Sequence, residues 1–548
     1  MQTNPGRFKI FDQCIRCLVV VFTLLFASCD RQPDLFVNTQ VTFQKALENG
    51  RQANEAIHRS VRFVHGWLDH ADSTTGLIPR NLDSDRDIWN GKDSAADNYP
   101  FMVLTAAITD STLLERMLDM LQTEKRLTSR VGSLPDTWSF TEQSFAYPEP
   151  DMDRLIFNGS EYVKDGLLPL TEWLGSSPWS DRMINIVEDI WEHARYDTPA
   201  GKLPSLNREV NGEMMQVLAR LYWMTGQPKY LDYAIRLASY YLLHNLPTEQ
   251  NERIRLRDHG CEVISGLTEV YAALHFGRTD KKNLYRDPLY KMLDTILEIG
   301  RNEHGFFYNW VNPITHEHDN EICDTFGYNY NGFYTMFLLD DIQSYRDAVI
   351  ECLSNLDYYH EYDWEGNSAD GYADAIEGAL NLYNREPMTS AALWIDQNIK
   401  IMWSKQQPSG IIEGWHGDGN FARTSIMYAL WKSKGITIKP WRNDIVLGAV
   451  TLDDNVYIAL SASNAWQGQL IFDAPRHKSI MRLPIDYPRI NQFPQWYTVE
   501  NEHSYRVYFR NDSAQPVSGE RLRSGLAISL TAGQEKHLII SPETTNDR

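Results

Sequence analysis

Residues 211–244 read NGEMMQVLARLYWMTGQPKYLDYAIRLASYYLLH. Apolar residues recur at spacings of three and four on both sides of Gly226-Gln227-Pro228, which predicts two helices, Asn211 to Thr225 and Lys229 to His244, folded back on each other. Glycine ends the first because it tolerates the left-handed conformation that closes a helix; proline opens the second because a first-turn residue needs no N–H. Working outward, the same plan predicts paired helices at 97–107 with 110–123, 164–174 with 179–195, 260–277 with 287–301, 327–339 with 341–357 and 370–384 with 389–405. A helix at 41–70 and another at 421–434 can pair and shut the series into a ring.

Hairpins repeating every roughly 40–60 residues form either an open solenoid or a closed toroid. The links decide between them. Ala96-Asp97-Asn98-Tyr99, Glu161-Tyr162-Val163-Lys164-Asp165, Asn207 to Glu213, Arg257-Asp258-His259-Gly260-Cys261-Glu262, Asp324 to Tyr330, Asp370-Gly371-Tyr372-Ala373-Asp374 and Trp415-His416-Gly417-Asp418-Gly419-Asn420 each open an inner helix, and no two are alike. Chemically dense, irregular links suit a closed ring with one central pocket. After Lys439-Pro440 the period changes to alternation, in short runs such as Asp444 to Leu452 and Lys536 to Ile540 bounded by Asp, Gly, Asn and Pro. The expected fold is therefore mainly α: an (α/α)6-7 toroid over 41–436 followed by a C-terminal β-sandwich over 437–548.

Composition narrows the function. A net charge of −21 disfavours nucleic acid as a partner. Aromatic residues make up 12% of the chain, with 16 Trp and 28 Tyr, a surplus that suits rings stacked on sugar faces or a large core. Arg7, Lys9 and Arg16 precede the apolar run Cys17 to Phe26, which ends in Ala27-Ser28-Cys29. That is the pattern of a lipoprotein-type export signal over 1–28, with a linker at 29–40 and Cys29 as the lipidated residue; Phe26 stands where that pattern prefers Leu, which leaves an ordinary signal peptide or an anchor helix as the other reading. The expectation is a protein of the bacterial periplasm or cell envelope, held to a membrane through a lipid at Cys29. Without that segment three thiols remain, Cys261, Cys323 and Cys352, too few for a disulfide framework.

Placing the seven motifs at helix N-termini points unpaired N–H groups and positive dipole ends into one bowl. Taken singly, Asp97, Asp258 and Asp370 read first as helix caps. Capping does not explain the loop Ile411 to Arg423, where Trp415, His416 and Asp418 crowd among glycines: Trp415 can stack a sugar ring, and His416 and Asp418 can move protons. Asp370, Asp374 and Glu377 share one helix face, where neighbouring carboxyls raise one another's pKa and leave one protonated beside one ionised. His259 is a further acid/base candidate. Asp97, Asn98, Tyr99, Tyr328, Tyr330, Asp370 and Trp415 are candidate sugar contacts, and Arg208 and Arg257 candidate partners for a uronate carboxylate. Outside the signal segment, which carries Cys14-Ile15-Arg16-Cys17, neither a Cys-x-x-Cys nor a His-Glu-x-x-His spacing occurs, so neither metal nor cofactor is expected, and Cys261 reads as a small buried thiol.

The hairpins with their Thr225-Gly226-Gln227-Pro228-Lys229-Tyr230-Leu231-Asp232 turn, the motifs at the inner helix starts and the trailing β region together resemble the six-hairpin glycosidase superfamily. That group includes unsaturated glucuronyl hydrolases, β-L-arabinofuranosidases with a Cys/Glu site, and toroid polysaccharide lyases. Cys261-Glu262 partly echoes the arabinofuranosidase pair, without that family's cysteine cluster. With the signal pattern, the resemblance leads to the expectation of an exported carbohydrate-active enzyme, a glycoside hydrolase on a neutral or uronate-containing oligosaccharide; the residues themselves nominate Asp374 or Glu377 and Asp418 as acid and base, with His259 and His416 assisting. Two alternatives stay open. One is a polysaccharide lyase in which Tyr328 or His259 abstracts the proton and arginine with Asn98 holds the carboxylate; the other is a surface glycan-binding protein without turnover.

Overall fold

The computed structural model describes residues 36, 39–510 and 514–543. Seven helices form its inner ring: α2 (Tyr99–Thr109), α5 (Leu168–Leu174), α7 (Arg208–Thr225), α9 (Cys261–Gly277), α11 (Phe326–Asp340), α13 (Ala369–Arg385) and α15 (Gly417–Ser433). Successive inner helices pack against one another, the step from α5 to α7 being made by the turn Tyr162–Leu167 that leads into α5, and α15 packs against α2, so the ring is closed. Outside it lie α1 (Gln40–Leu68), α3 (Ser111–Thr128), α6 (Pro178–Glu192), α8 (Pro228–Ser239), α10 (Thr279–Ile299), α12 (Gln343–Ser354) and α14 (Thr389–Ser404). The opening helix α1 pairs with the closing helix α15, as the ring requires. Gly226 takes φ 71° at the end of α7 and Pro228 opens α8, the punctuation expected of that hairpin.

Two inner rods start differently from expectation. A π-helical turn, Gly91–Asn98, runs into α2, and Asn90 caps it by accepting the N–H groups of Asp93 and Ser94. A further helix, α4 (Met152–Glu161), continues through a second π-helical turn, Tyr162–Leu167, into α5. π turns inside helices occur mostly at functional sites. Here they carry Asp93, Asp97, Lys164 and Asp165.

Inner helices are buried all round, which their sequences show as small residues where helices cross. A Cβ on Gly212 of α7 would meet the Glu262 backbone of α9 at 2.5 Å, and a Cβ on Gly327 of α11 would collide with Gly378 of α13. The ring is therefore drawn tight at its upper end.

The C-terminal strands are β1 (Thr437–Lys439), β2 (Ile445–Leu452), β3 (Asn455–Ala462), β4 (Trp466–Ile471), β5 (Ser504–Phe509), β6 (Gln515–Ser518), β7 (Leu526–Leu530) and β8 (Glu535–Pro542). They form a five-stranded antiparallel sheet in the order β6-β5-β8-β3-β2 and a three-stranded one in the order β7-β4-β1. Alternate residues, including Leu447, Ile458, Leu470 and Ile528, share one core between the sheets. Helix α1 lies against this sandwich, where the Asn49 amide donates to the Ala449 carbonyl.

Between β4 and β5 the chain leaves the sandwich and enters the toroid. Met481, Leu483, Tyr487 and Phe493 join the toroid core. Arg489, fully buried, donates to Glu172 of α5 at 2.6 Å and to Asp486 at 3.1 Å. Asn491 sits at the tip, its N–H donating to Glu377 of α13 at 2.8 Å and its side chain to Asp165 at 2.8 Å. This segment closes the floor of the ring. Among the described residues, no helix is long and apolar enough to cross a membrane.

Candidate active site

Helix starts meet above that floor in a cavity of about 170 Å³. Its wall includes Asp97, Glu161, Asp165, Asp258, Asp370 and Asp374, with Lys164, His259 and Arg423 as cations, and Asn491 reaches it from below. Every inner rod but α7 thus delivers polar groups to one place, and the starts of α9, α11, α13 and α15 turn positive dipole ends toward it.

Arg423 is the hub of one side. Its guanidinium donates to Asp374 at 2.7 Å, to Asn420 at 2.8 Å and to the Tyr328 oxygen at 3.1 Å, and pairs with Glu377 at 2.6 Å. Tyr328 donates to Asp374 at 2.9 Å, and Asn420 donates to Asp370 at 2.6 Å. One network therefore joins α11, α13 and α15. Burial raises the Asp374 pKa more than Arg423 lowers it, and with the charges of Glu377 and Asp258 it is pushed up to about 7. Asp370 is held well above the usual carboxylate range by burial and by the charges of Asp374 and Glu365. Asp97 is raised in the same way, by burial and by Asp165, Asp93 and Asp370.

The opposite wall holds ionised groups. Against the effect of burial, the hydrogen bond and charge of His259, with Arg255 and Arg257, keep Asp258 below the usual range. His259 bonds Glu209 at 2.5 Å and Asp258 at 3.0 Å, and these contacts outweigh burial and raise its pKa to about 11. It is a fixed imidazolium at neutral pH, not the proton shuttle expected from the sequence. His416 is the reverse: burial lowers its pKa, although Asp93 lies 3.5 Å away. Trp415 presents a half-buried ring beside it and anchors its indole N–H on Glu413 at 3.1 Å.

Several candidates fall elsewhere. Asp418 is fully buried; it accepts the backbone N–H groups of Ile412, Glu413 and Gly414 and the Trp67 indole, and so clamps the loop that carries Trp415. Glu377 lies beneath the cavity, bound by Arg423 and the Asn491 N–H. Asn98 donates to the Trp415 carbonyl, Tyr99 to the Met117 carbonyl and Tyr330 to the Gly305 carbonyl, all as packing contacts. Arg208 pairs with Glu252 outside the cavity, and Arg257 with Glu365 at its edge. Asp97, Asp258 and Asp370 do not act as side-chain caps: Asn90 and Ser368 cap the segments carrying Asp97 and Asp370, and α9 begins without a side-chain cap. Cys29 lies outside the described residues.

Other groups were not singled out as site residues. Glu161 and Asp165, like Glu209 and Glu213, are four apart, a helical spacing that was visible in the sequence. Nothing in the sequence marked Asn491. Among the described residues, three sets bring possible metal-ligand atoms within 4.8 Å of one another: Asp93, Asp97 and His416; Glu161, Glu209 and His259; and Glu161, Asp165 and Glu213.

Fold and rim together define a seven-hairpin α/α toroid with an acidic basin at the start of its inner helices. No family model matches the sequence, and no curated protein matches it. Similar solved structures include an inactive variant of an α-1,6-mannanase of Salegentibacter sp. HEL1_6 in complex with α-1,6-mannotetrose, at 9% identity over 68% of this chain and 98% of that one, TM-score 0.38. A family 76 glycoside hydrolase (mannosidase) of Bacteroides thetaiotaomicron VPI-5482 is 12% identical over 69% and 98%, TM-score 0.39. The unsaturated glucuronyl hydrolase of Bacillus sp. GL1 is 11% identical over 50% and 85%, TM-score 0.36.

Proposed function

We propose that the protein is a glycoside hydrolase acting on an oligosaccharide bound in the acidic basin. The observation that carries this reading is the pairing of Asp374, whose pKa is raised to about 7, with Asp258, held ionised, in the wall of one cavity. Two carboxyls pushed apart in proton affinity are what glycosidic cleavage needs. Asp374 donates its proton to the leaving oxygen as the glycosidic bond breaks, and Asp258 accepts a proton from the water whose oxygen bonds the anomeric carbon. Trp415 offers the stacking face.

A uronate is a poor fit for this basin. Carboxyls outnumber cations in its wall; Arg423 and Lys164 already hold carboxylates of the protein, and the Lys92 ammonium lies over the Phe157 ring. Neutral sugar units suit it better. The lyase alternative needs a base, yet burial holds the Tyr328 phenol well above its ordinary pKa and His259 is already protonated. We place the protein outside the cytoplasm, anchored through Cys29, on the strength of the signal pattern; Cys29→Ser is expected to abolish incorporation of labelled fatty acid.

The test is a panel of neutral and acidic oligosaccharides. New reducing ends without an unsaturated, ultraviolet-absorbing product support hydrolysis; an unsaturated product would establish elimination instead, and binding without cleavage a carrier.

A further inference from the structure

Beneath the rim, two helical rods face each other with two carboxyls apiece. Glu161 and Asp165 stand on α4 and its π-helical continuation, and Glu209 and Glu213 on α7. We propose that Glu161, Asp165 and Glu213 bind a hard divalent cation, of the calcium, magnesium and manganese class, in the wall of the basin. This site is separate from the Asp374 and Asp258 chemistry and does not depend on it.

Three observations carry the proposal. One oxygen from each of the three carboxyls lies within 4.8 Å of the other two, the spread that ligands about 2.3–2.6 Å from one calcium ion subtend. Glu213 is 0% exposed and neither of its carboxylate oxygens has a hydrogen-bond partner. Oε1 of Glu161, itself only 5% exposed as a residue, is likewise without one. A buried carboxyl left with both oxygens unmet is costly, and the group that would meet it is a cation or a donor.

The cations nearby do not serve. Lys164 donates to Asp165 at 2.7 Å and to Glu262 at 2.5 Å, and His259 bonds Glu209 and Asp258 while its Nδ1 stays 3.7 Å from Glu161 Oε1, beyond hydrogen-bond reach. Five carboxyls, Glu161, Asp165, Glu209, Glu213 and Glu262, crowd this pocket against two cationic side chains, Lys164 and His259, so oxygen donors outnumber the protein groups that could meet them. All-oxygen donors select hard cations over zinc or copper. The second set, Asp93, Asp97 and His416, is weaker, because Arg80 and Asn90 already hold Asp93. The third shares Glu161, but its Glu209 and His259 already bind each other. Helical periodicity alone could not show the favoured site, since its ligands come from two hairpins.

The full-length protein, stripped with a chelator and titrated separately with calcium, magnesium and manganese chloride, tests it by calorimetry and by thermal unfolding. We expect one cation per chain with a Kd of about 1 mM or tighter, and a melting temperature that rises with cation concentration. Glu213→Gln should weaken binding at least about tenfold, the smallest effect expected for a lost ligand when even outer-shell partners cost about 10–100-fold. Without cation the same variant should melt no lower than the wild type, because neither carboxyl oxygen of Glu213 has a protein partner to lose. Manganese soaked into crystals should give anomalous scattering between the three carboxyls, a readout that needs no variant. Absence of binding at about 10 mM, ten times that limit, an unchanged Kd in Glu213→Gln, or manganese located elsewhere would overturn the proposal.

Discussion

Asp374 is pulled two ways, by burial toward the neutral acid and by Arg423 toward the anion, and burial wins. Its folded-state pKa of about 7 exceeds the ordinary 3.8, so the folded protein holds this proton more tightly than the unfolded chain does. The stability it contributes is complete below the lower value and is lost as pH rises through the higher one. Thermal unfolding between pH 4 and 8 should therefore show a decline that is shallower in Asp374→Asn; parallel curves would refute the shift. If that proton is the one given to the leaving oxygen, activity should fall as pH rises through about 7. Asp418 teaches the opposite lesson. Its loop, rich in glycine, Trp and His, reads as a catalytic turn, yet such a loop equally needs an internal anchor for its backbone N–H groups. Asp418→Ala should cost about 2–4 kcal/mol in a denaturant melt, because buried donors lose an ionised acceptor. Asp418→Asn should keep most activity per folded molecule.

Helices were legible wherever glycine and proline punctuate an apolar period, as at Gly226 and Pro228. Each expected hairpin is present, and the errors lie at helix starts. The turns Gly91–Asn98 and Tyr162–Leu167 are π-helical, and α4 precedes the second of them. These turns have no 3.6-residue signature to read, and tertiary contacts select them. The tight crossings of α7 with α9 and α11 with α13 rest on glycines that the sequence does not distinguish from ordinary ones. Gly212→Ala adds a methyl where the Glu262 backbone already stands. The gain in helix propensity, about 1 kcal/mol, should be outweighed by overpacking, giving a net loss of about 1–3 kcal/mol by chemical denaturation. A variant as stable as the wild type would show that the two helices can part without cost.

Across the whole molecule, the floor of the ring belongs to the chain between β4 and β5, and no pattern in residues 473–500 foretold it. The segment carries no period of its own; its meaning comes from Glu172, Glu269 and Glu377, hundreds of residues away, which receive Arg489, Tyr487 and Asn491. Toroid and sandwich should therefore unfold together. Arg489→Met leaves Glu172 buried and uncompensated and should cost about 3–5 kcal/mol. Calorimetry of the wild type should show one transition; two separate ones would contradict the coupling. In the proposed reading, the basin at the inner helix starts performs hydrolysis with Asp374 as its acid. Release of reducing ends from a neutral oligosaccharide panel, compared between wild type and Asp374→Asn, tests it most directly. The expected result is cleavage by the wild type and a loss of at least about 100-fold in the variant, with its thermal unfolding intact. Equal turnover by the two proteins would contradict it.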